Sequence, residues 1–142
     1  MNLMIQILKD VFTLHNRNRL MEIDDHISLA WLFFTPQGRR YCSQYNFPSL
    51  DRFRQLRQHT SSLKIFVDAG DIEIKADYPN IGLVGSTKAV VSVTDNSKVY
   101  RVILMHGAKA RIIASNYTVI LLANMGPCEV DIEKDDTVLV LQ

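Results

Sequence analysis

The chain has 142 residues, 47% of them hydrophobic, and a formal net charge of +1 at pH 7. This length and apolar content suffice to bury the core of one compact body or of two small ones. So weak a charge excludes a global attraction to nucleic acid or to acidic membranes. The charge is uneven, because residues 1–64 carry 9 Lys and Arg against 5 acids, whereas residues 65–142 carry 7 against 10.

The start of the chain and the two cysteines indicate the compartment. The first ten residues are apolar but are interrupted by Lys9 and Asp10, and they lack the basic start and cleavage site of a signal peptide. No apolar run reaches the ~20 residues of a membrane-spanning helix. Cys42 and Cys128 stand in different halves without CxxC spacing, so reduced thiols are expected, with a single bridge as the alternative. We therefore predict a cytoplasmic protein without a membrane partner.

Two helices are predicted between Met1 and Phe34. Apolar side chains recur at helical spacing on one face of the first helix, at Leu3, Ile7, Val11 and Leu14. The second helix is predicted over residues 26–34, where nearly every side chain is apolar, as is typical of a buried helix.

Two more helices are predicted before the first strand. Thr35 and Pro36 supply an N-cap hydroxyl and a proline at the first helical position, so a third helix should run from there to about Tyr45. A fourth is predicted over residues 50–59, with its apolar side chains turned inward. Residues 1–62 are therefore interpreted as a small helical cap.

From residue 63 onward, short runs rich in Val and Ile alternate with turn residues, which is typical of β-strands. Four of these runs are preceded by the same pattern, in which a turn residue is followed by two small or polar residues and then by an apolar one. The four segments are residues 96–99, 107–110, 116–119 and 135–138. The apolar residues recur about every 20 positions, in the series Val99, Val119, Val138 and the series Ala110, Val130. A unit of this size with two or more short strands is typical of one turn of a β-solenoid.

The predicted fold class is α+β, with a helical cap at residues 1–62 followed by an all-β repeat region at residues 63–142. A β-solenoid, also called a β-helix, is the favoured architecture. A β-sandwich is the alternative, because its short strands also recur at similar intervals along the chain. The end turns of a solenoid expose unpaired strand edges, so an uncovered turn at Val138 would favour stacking or a symmetric oligomer.

No histidine, cysteine or acidic group has the spacing of a catalytic or metal-binding motif. His106 is interpreted as a turn residue at a strand end, and Cys42 as a small buried residue on a helix. Residues 82–88 resemble part of a glycine-rich phosphate loop but lack its order, so a solenoid corner is predicted there. The acids around Asp71 and Asp131 are interpreted as solvated strand faces. We predict no enzymatic activity, no cofactor and no metal.

The helical part contains basic side chains interspersed with aromatic ones, a combination that can bind phosphates and stack on bases. The candidate contacts are Arg39, Arg40, Arg52, Arg54 and Arg57. A solvated basic face or a protein contact is favoured over nucleic-acid binding, because Phe53 and Leu56 are needed inward and Asp51 interrupts the patch.

Three segments, residues 35–50, 66–72 and 102–108, resemble short uncharacterised proteins encoded by prophages and mobile elements of gut anaerobes. The resemblance covers most of the chain, but its motifs are turns and helix caps, so no site residue follows from it. It implies a phage or mobile-element setting, and therefore a location in the host cytoplasm or in a phage particle.

The function predicted from these observations is that of a non-enzymatic structural or protein-interaction protein. It would form a homo-oligomer or dock a protein partner through an end or a face of the solenoid. The alternative is a small phage-type inhibitor or binder of host machinery, linked to nucleic acid through the basic helical half.

Overall fold

The computed structural model describes residue 30, residues 33–46 and residues 48–142, without the side chains of Gln58 and His59. The helix predicted around residues 3–14 and most of the one predicted over residues 26–34 lie outside these ranges. The chain divides into two compact units between Phe47 and Pro48. The described residues of the first unit are therefore 30 and 33–46, and those of the second are 48–142.

The first unit contains helix α1, Pro36–Tyr45, which confirms the third predicted helix. The side-chain hydroxyl of Thr35 accepts a hydrogen bond of 3.0 Å from the backbone N–H of Gly38, as an N-cap does. The helix ends at Asn46, whose φ of 50° is left-handed, a conformation that asparagine tolerates better than most residues.

The second unit begins with α2 (Leu50–Gln55), α3 (Arg57–Thr60) and a 3₁₀ helix (Ser61–Leu63). The prediction of one helix over residues 50–59 is wrong at Leu56. There the backbone N–H is shared between the carbonyls of Arg52 and Phe53, and the buried leucine leaves the α conformation. The change from helix to strand falls close to the predicted boundary at residues 62 and 63, but α2 and α3 belong to the same compact unit as the strands.

Nine strands follow in the part of the chain that the structure describes: β1 (Ile65–Val67), β2 (Gly70–Lys75), β3 (Asn80–Val84), β4 (Thr87–Val93), β5 (Val99–Met105), β6 (Lys109–Ala114), β7 (Val119–Met125), β8 (Glu129–Lys134) and β9 (Leu139–Leu141). The odd sheet has the order β1-β3-β5-β7-β9, and the even sheet has the order β2-β4-β6-β8. Every pairing is parallel and joins a strand to the next but one along the chain. This stacking confirms the β-solenoid, with about four turns, and excludes the β-sandwich, whose sheets are antiparallel.

The register sets the length of one turn. Val99 lies opposite Val119, and Val119 lies opposite Leu139, so the chain completes one turn between each residue and its partner. The predicted partners Ala110 and Val130 are confirmed, whereas the choice of Val138 as the partner of Val119 is wrong by one residue. Because side chains alternate along an extended chain, the shift leaves Val138 in the core and Leu139 on the outer face.

The hydrophobic core lies between the two sheets and is continuous along the stack. In the even sheet, Ile74, Val91, Ile112 and Ile132 stand in one column of the register. Fully burying such a side chain stabilises the fold by about 1.5–3 kcal/mol. Because each turn repeats the inward positions of the turn before it, every central layer packs against two others.

Candidate functional site

The outer face of the odd sheet is apolar and is buried over part of its area. In β5, Tyr100, Val102 and Leu104 belong to the core between the sheets, so the alternating Ile103 and Met105 point to the opposite side. Both are nevertheless completely buried. A strand that is apolar on both faces is typical of parallel sheets.

The same outer face continues into an exposed region, the apolar strip, which we define as Val99, Tyr117, Val119, Leu139 and Leu141. Val99, Val119 and Leu139 are aligned in the register of neighbouring strands. Tyr117 stands at the corner just before β7 and is 69% exposed, and the exposed fractions of Val99, Leu139 and Leu141 are 43%, 54% and 45%. None of the five is charged, and the nearest charged position in the register of this face is Arg101, in one row with Leu121 and Leu141.

The outer face of the even sheet is charged and pairs its charges internally. Lys109 Nζ lies 3.7 Å from Glu129, and Arg111 lies 3.9 Å from Asp131 and 3.0 Å from Glu133. All five side chains are exposed, so these ion pairs contribute little to stability. The prediction of a solvated strand face around Asp131 is confirmed. Within the described residues, no group of three or more His, Cys, Asp or Glu could hold a metal ion.

A groove of about 350 Å³ runs along the corner at which the chain passes from the odd to the even sheet. We call it the corner groove, and its lining includes Asp71, Gly85, Ser86, Lys88, His106 and Lys109. Gly85 and Ser86 form the corner between β3 and β4, which confirms the solenoid corner predicted for residues 82–88.

Asp68 anchors this corner to the helices of the same unit. Its carboxylate accepts hydrogen bonds from Arg54 Nε at 2.5 Å and from the backbone N–H of Ser86 at 2.8 Å. These two bonds lower the pKa of Asp68 below its usual value, and the bond from Arg54 has the larger effect. Arg57 also donates to the carbonyl of Val67, at 2.9 Å.

The five predicted arginine contacts are divided between the units. In the first, Arg39 donates to the carbonyl of Phe34 at 2.7 Å, and Arg40 is exposed. In the second, Arg52 donates to Gln55 at 3.0 Å, while Arg54 and Arg57 make the bonds given above. Four of the five thus have partners within the chain, and their contact with another molecule stays a prediction.

His106 occupies a turn directly after β5, as predicted, with a φ of 58°. Its Nε2 lies 2.6 Å from the carbonyl oxygen of Pro48, so the proton is on Nε2, which donates. The ring packs edge-to-face on Phe53, with the centroids 5.8 Å apart. The histidine is thereby used to join the corner to α2. His15, His26 and the side chain of His59 lie outside the described residues.

Both cysteines are free thiols. Cys42 is completely buried, and burial raises its pKa to about 12. Burial also raises the pKa of Cys128. A thiolate is the nucleophilic form of cysteine, so Cys42 is a packed side chain at neutral pH, as the sequence indicates.

The turn before β5 contains a hydrogen-bonded cluster that the sequence did not reveal. The completely buried Tyr100 donates its phenolic O–H to Asp95 at 2.7 Å, and the hydroxyl and backbone N–H of Ser97 bond to the same carboxylate at 2.7 and 3.1 Å. These bonds lower the pKa of Asp95 to about 2, and the bond from Tyr100 has the largest effect. Burial, followed by the neighbouring Asp95, raises the pKa of Tyr100 to about 12.

Tyr100→Phe is expected to make the melting temperature less sensitive to pH in the acid range. The folded pKa of Asp95 lies below its ordinary value of 3.8, so its ionised form stabilises the fold above that value, and this contribution is lost as the pH falls towards 2. The melting temperature of the variant should therefore be lower at pH 7, with the difference from wild type narrowing between about pH 4 and about pH 2. Thermal unfolding followed by circular dichroism measures this.

Tyr117→Phe is the matched control, because that tyrosine is exposed and its phenol has no hydrogen-bond partner in the described part of the chain. It should unfold like wild type at every pH. A Tyr100→Phe deficit of the same size at pH 2 and pH 7 would contradict the role given to Asp95.

Comparison of the chain with protein-family models, with curated proteins and with solved structures gives no significant match. No helix among residues 30, 33–46 and 48–142 is long and apolar enough to span a membrane.

Proposed function

We propose that this chain is a non-enzymatic protein-interaction scaffold that self-associates through the apolar strip on the outer face of the odd sheet. The observation that carries the proposal is the register of Val99, Val119 and Leu139, which places the exposed Val99 and Leu139 on either side of the half-buried Val119. Exposed apolar patches of this kind mark interaction sites. Burying such apolar surface in a contact stabilises the association by about 25 cal/mol per Å² of surface removed from water.

A second copy of the chain fits this surface by charge. In a two-fold dimer the same patch of each copy faces its counterpart, so the five uncharged side chains of the strip can pack on one another. The half-buried Arg101 on the same face donates a hydrogen bond to Asn80 at 3.3 Å. The outer face of the even sheet differs, because Lys109 and Arg111 already pair with acids of β8. Two such faces would have to exchange solvated ion pairs for contacts of no greater strength.

The phage or mobile-element setting implied by the resemblance suits an assembly protein and stays a prediction. The alternative of a nucleic-acid-linked binder has less support, because Arg54 and Arg57 already bond to Asp68 and to the carbonyl of Val67. A salt-dependent mobility shift of DNA or RNA, abolished by changing residues 52, 54 and 57 to alanine, would favour that alternative.

The proposal predicts an oligomer whose mass in solution depends on concentration. Light scattering after size exclusion should show a dimer or a larger species that dissociates on dilution. Val99→Asp combined with Leu139→Asp should raise the dissociation constant by at least about tenfold, because the new carboxylates would be buried in an apolar contact without partners.

Val90→Asp is the matched control, since Val90 is a half-buried valine on the outer face of the even sheet, between Glu73 and Arg111 in the register. It should associate like wild type. A wild-type protein that is monomeric at every concentration would overturn the proposal, and so would a control that dissociates as readily as the strip variant.

A further inference from the structure

We infer that the corner groove binds a small phosphate monoester that also carries hydroxyl groups, of the sugar-phosphate type. This goes beyond the proposed self-association and rests on a different surface. The groove lies at the corners where the odd strands end and the chain enters the even sheet. The apolar strip lies on the outer face of the odd sheet, around the starts of β5, β7 and β9.

The shape of the groove follows from the glycines at the corners of successive turns. Gly70 and Gly107, at the first and third corners, have positive φ values of 71° and 85°, and no atom lies within 4 Å of the position that a Cβ would occupy at either. At Gly85, the corner between them, Asp68 and Leu50 fill that position. Left-handed corners without side chains leave the backbone open to solvent. The resulting space of about 350 Å³ falls in the range of small-molecule sites.

The charge of the groove comes from two lysines placed side by side. Lys88 and Lys109 are direct partners in the register of β4 and β6, and the same row continues to Asp71 beside Lys88 and to Glu129 beside Lys109. Like charges directly opposite each other repel, and the two flanking acids offset part of that repulsion. Lys109 pairs with Glu129 at 3.7 Å, whereas Lys88 has no ion-pair partner within the described residues. An anion placed between the two ammonium groups would remove the repulsion, and a phosphate can accept from both at once.

Two further side chains favour an ester with hydroxyl groups over free phosphate. The exposed hydroxyl of Ser86 lines the groove and makes no hydrogen bond in the described part of the chain, so it can donate to a phosphate oxygen. Asp71 lines the same groove and is aligned with Lys88. Its carboxylate would repel a bare anion but can accept hydrogen bonds from ligand hydroxyls beside the phosphate.

The test is calorimetric titration with ribose 5-phosphate at constant ionic strength, with ribose and inorganic phosphate as comparison ligands. Ribose 5-phosphate should bind the wild-type protein, inorganic phosphate should bind less tightly and ribose should not bind. Lys88→Ala and Lys109→Ala should each weaken the binding of ribose 5-phosphate by at least about tenfold, because each removes one of the two charged donors.

Lys75→Ala is the control, because Lys75 is an exposed lysine on the same strand as Asp71 that does not line the groove. Absence of binding by ribose 5-phosphate at millimolar concentration would overturn the inference. Equal weakening by all three lysine variants would also overturn it, since that would indicate general charge attraction. Light scattering on the same samples reports self-association separately, so either proposal can fail alone.

Discussion

Ile112→Ala is expected to lower the free energy of unfolding by about 2–5 kcal/mol. Ile112 is completely buried in β6, and its column places it between Val91 of the preceding turn and Ile132 of the following one. The parallel ladders hold both neighbours at a fixed spacing, so the core cannot collapse fully into the space that the isoleucine leaves. Urea-induced unfolding followed by circular dichroism measures the loss.

Ile132→Ala gives the same chemical change at the edge of the same column. Ile132 is half-buried, and within the described residues its strand, β8, pairs only with β6. The expected loss is less than half of that for Ile112, because fewer neighbours surround the deleted atoms. Equal losses at the two positions would contradict the view that packing weakens towards the last turn.

Gly85→Ala is expected to destabilise the protein by about 2–4 kcal/mol, the sum of a backbone penalty and a steric one. Gly85 has a φ of +69°, where a side chain is disfavoured. A Cβ at this position would overlap the carboxylate of Asp68 and would lie 2.8 Å from Cδ1 of Leu50. Asp68 cannot withdraw freely, because Arg54 and the backbone of Ser86 hold its carboxylate.

Gly107→Ala separates the two contributions. Gly107 stands at the next corner with a φ of +85°, and nothing lies within 4 Å of its would-be Cβ. That substitution should therefore show the backbone penalty alone, about 1 kcal/mol. Unfolding in urea, measured side by side, should give the larger loss for Gly85. Equal losses would mean that Asp68 and Leu50 move aside without cost.

The parallel register explains why this protein has surfaces of distinct chemistry. In a solenoid, a position that recurs in each turn becomes a column on one face. Val99, Val119 and Leu139 thus become an apolar strip, and Lys88 and Lys109 become a pair of adjacent charges. Both candidate interaction surfaces arise from register, and neither requires a contiguous sequence motif.

Local signals predicted much of the fold. The N-cap at Thr35, the runs of Val and Ile, and the repeat that relates Ala110 to Val130 all depend on neighbours in the chain or on simple repetition. The last turn was misplaced by one residue, at Val138, because the sequence pattern matched one apolar residue to another. Val119 lies 20 residues after Val99 and Leu139 lies 20 residues after Val119, so the buried Val138 is the counterpart of the buried Thr118, a polar residue that the pattern passed over.

Long-range contacts were beyond a local interpretation. The break at Leu56 occurs in a segment whose helical pattern is continuous in the sequence. The bond between Arg54 and Asp68 joins residues 14 positions apart, and the one between His106 and Pro48 spans 58 positions. The sequence could identify these side chains as polar, but it could not show that they already have partners.

By itself, the sequence determined that helices at Pro36–Tyr45 and from Leu50 onward precede a repetitive β region built from short strands and regularly spaced turns. Those features depend on side-chain shape, on turn chemistry and on alternation along a strand, all of which act over a few residues. Only the tertiary structure decided which apolar residues remain exposed and which charges lack partners. Exposure of Val99 and the placing of Lys88 between Asp71 and Lys109 are consequences of register and of packing between turns, since the neighbours that cover or pair a side chain come from other turns.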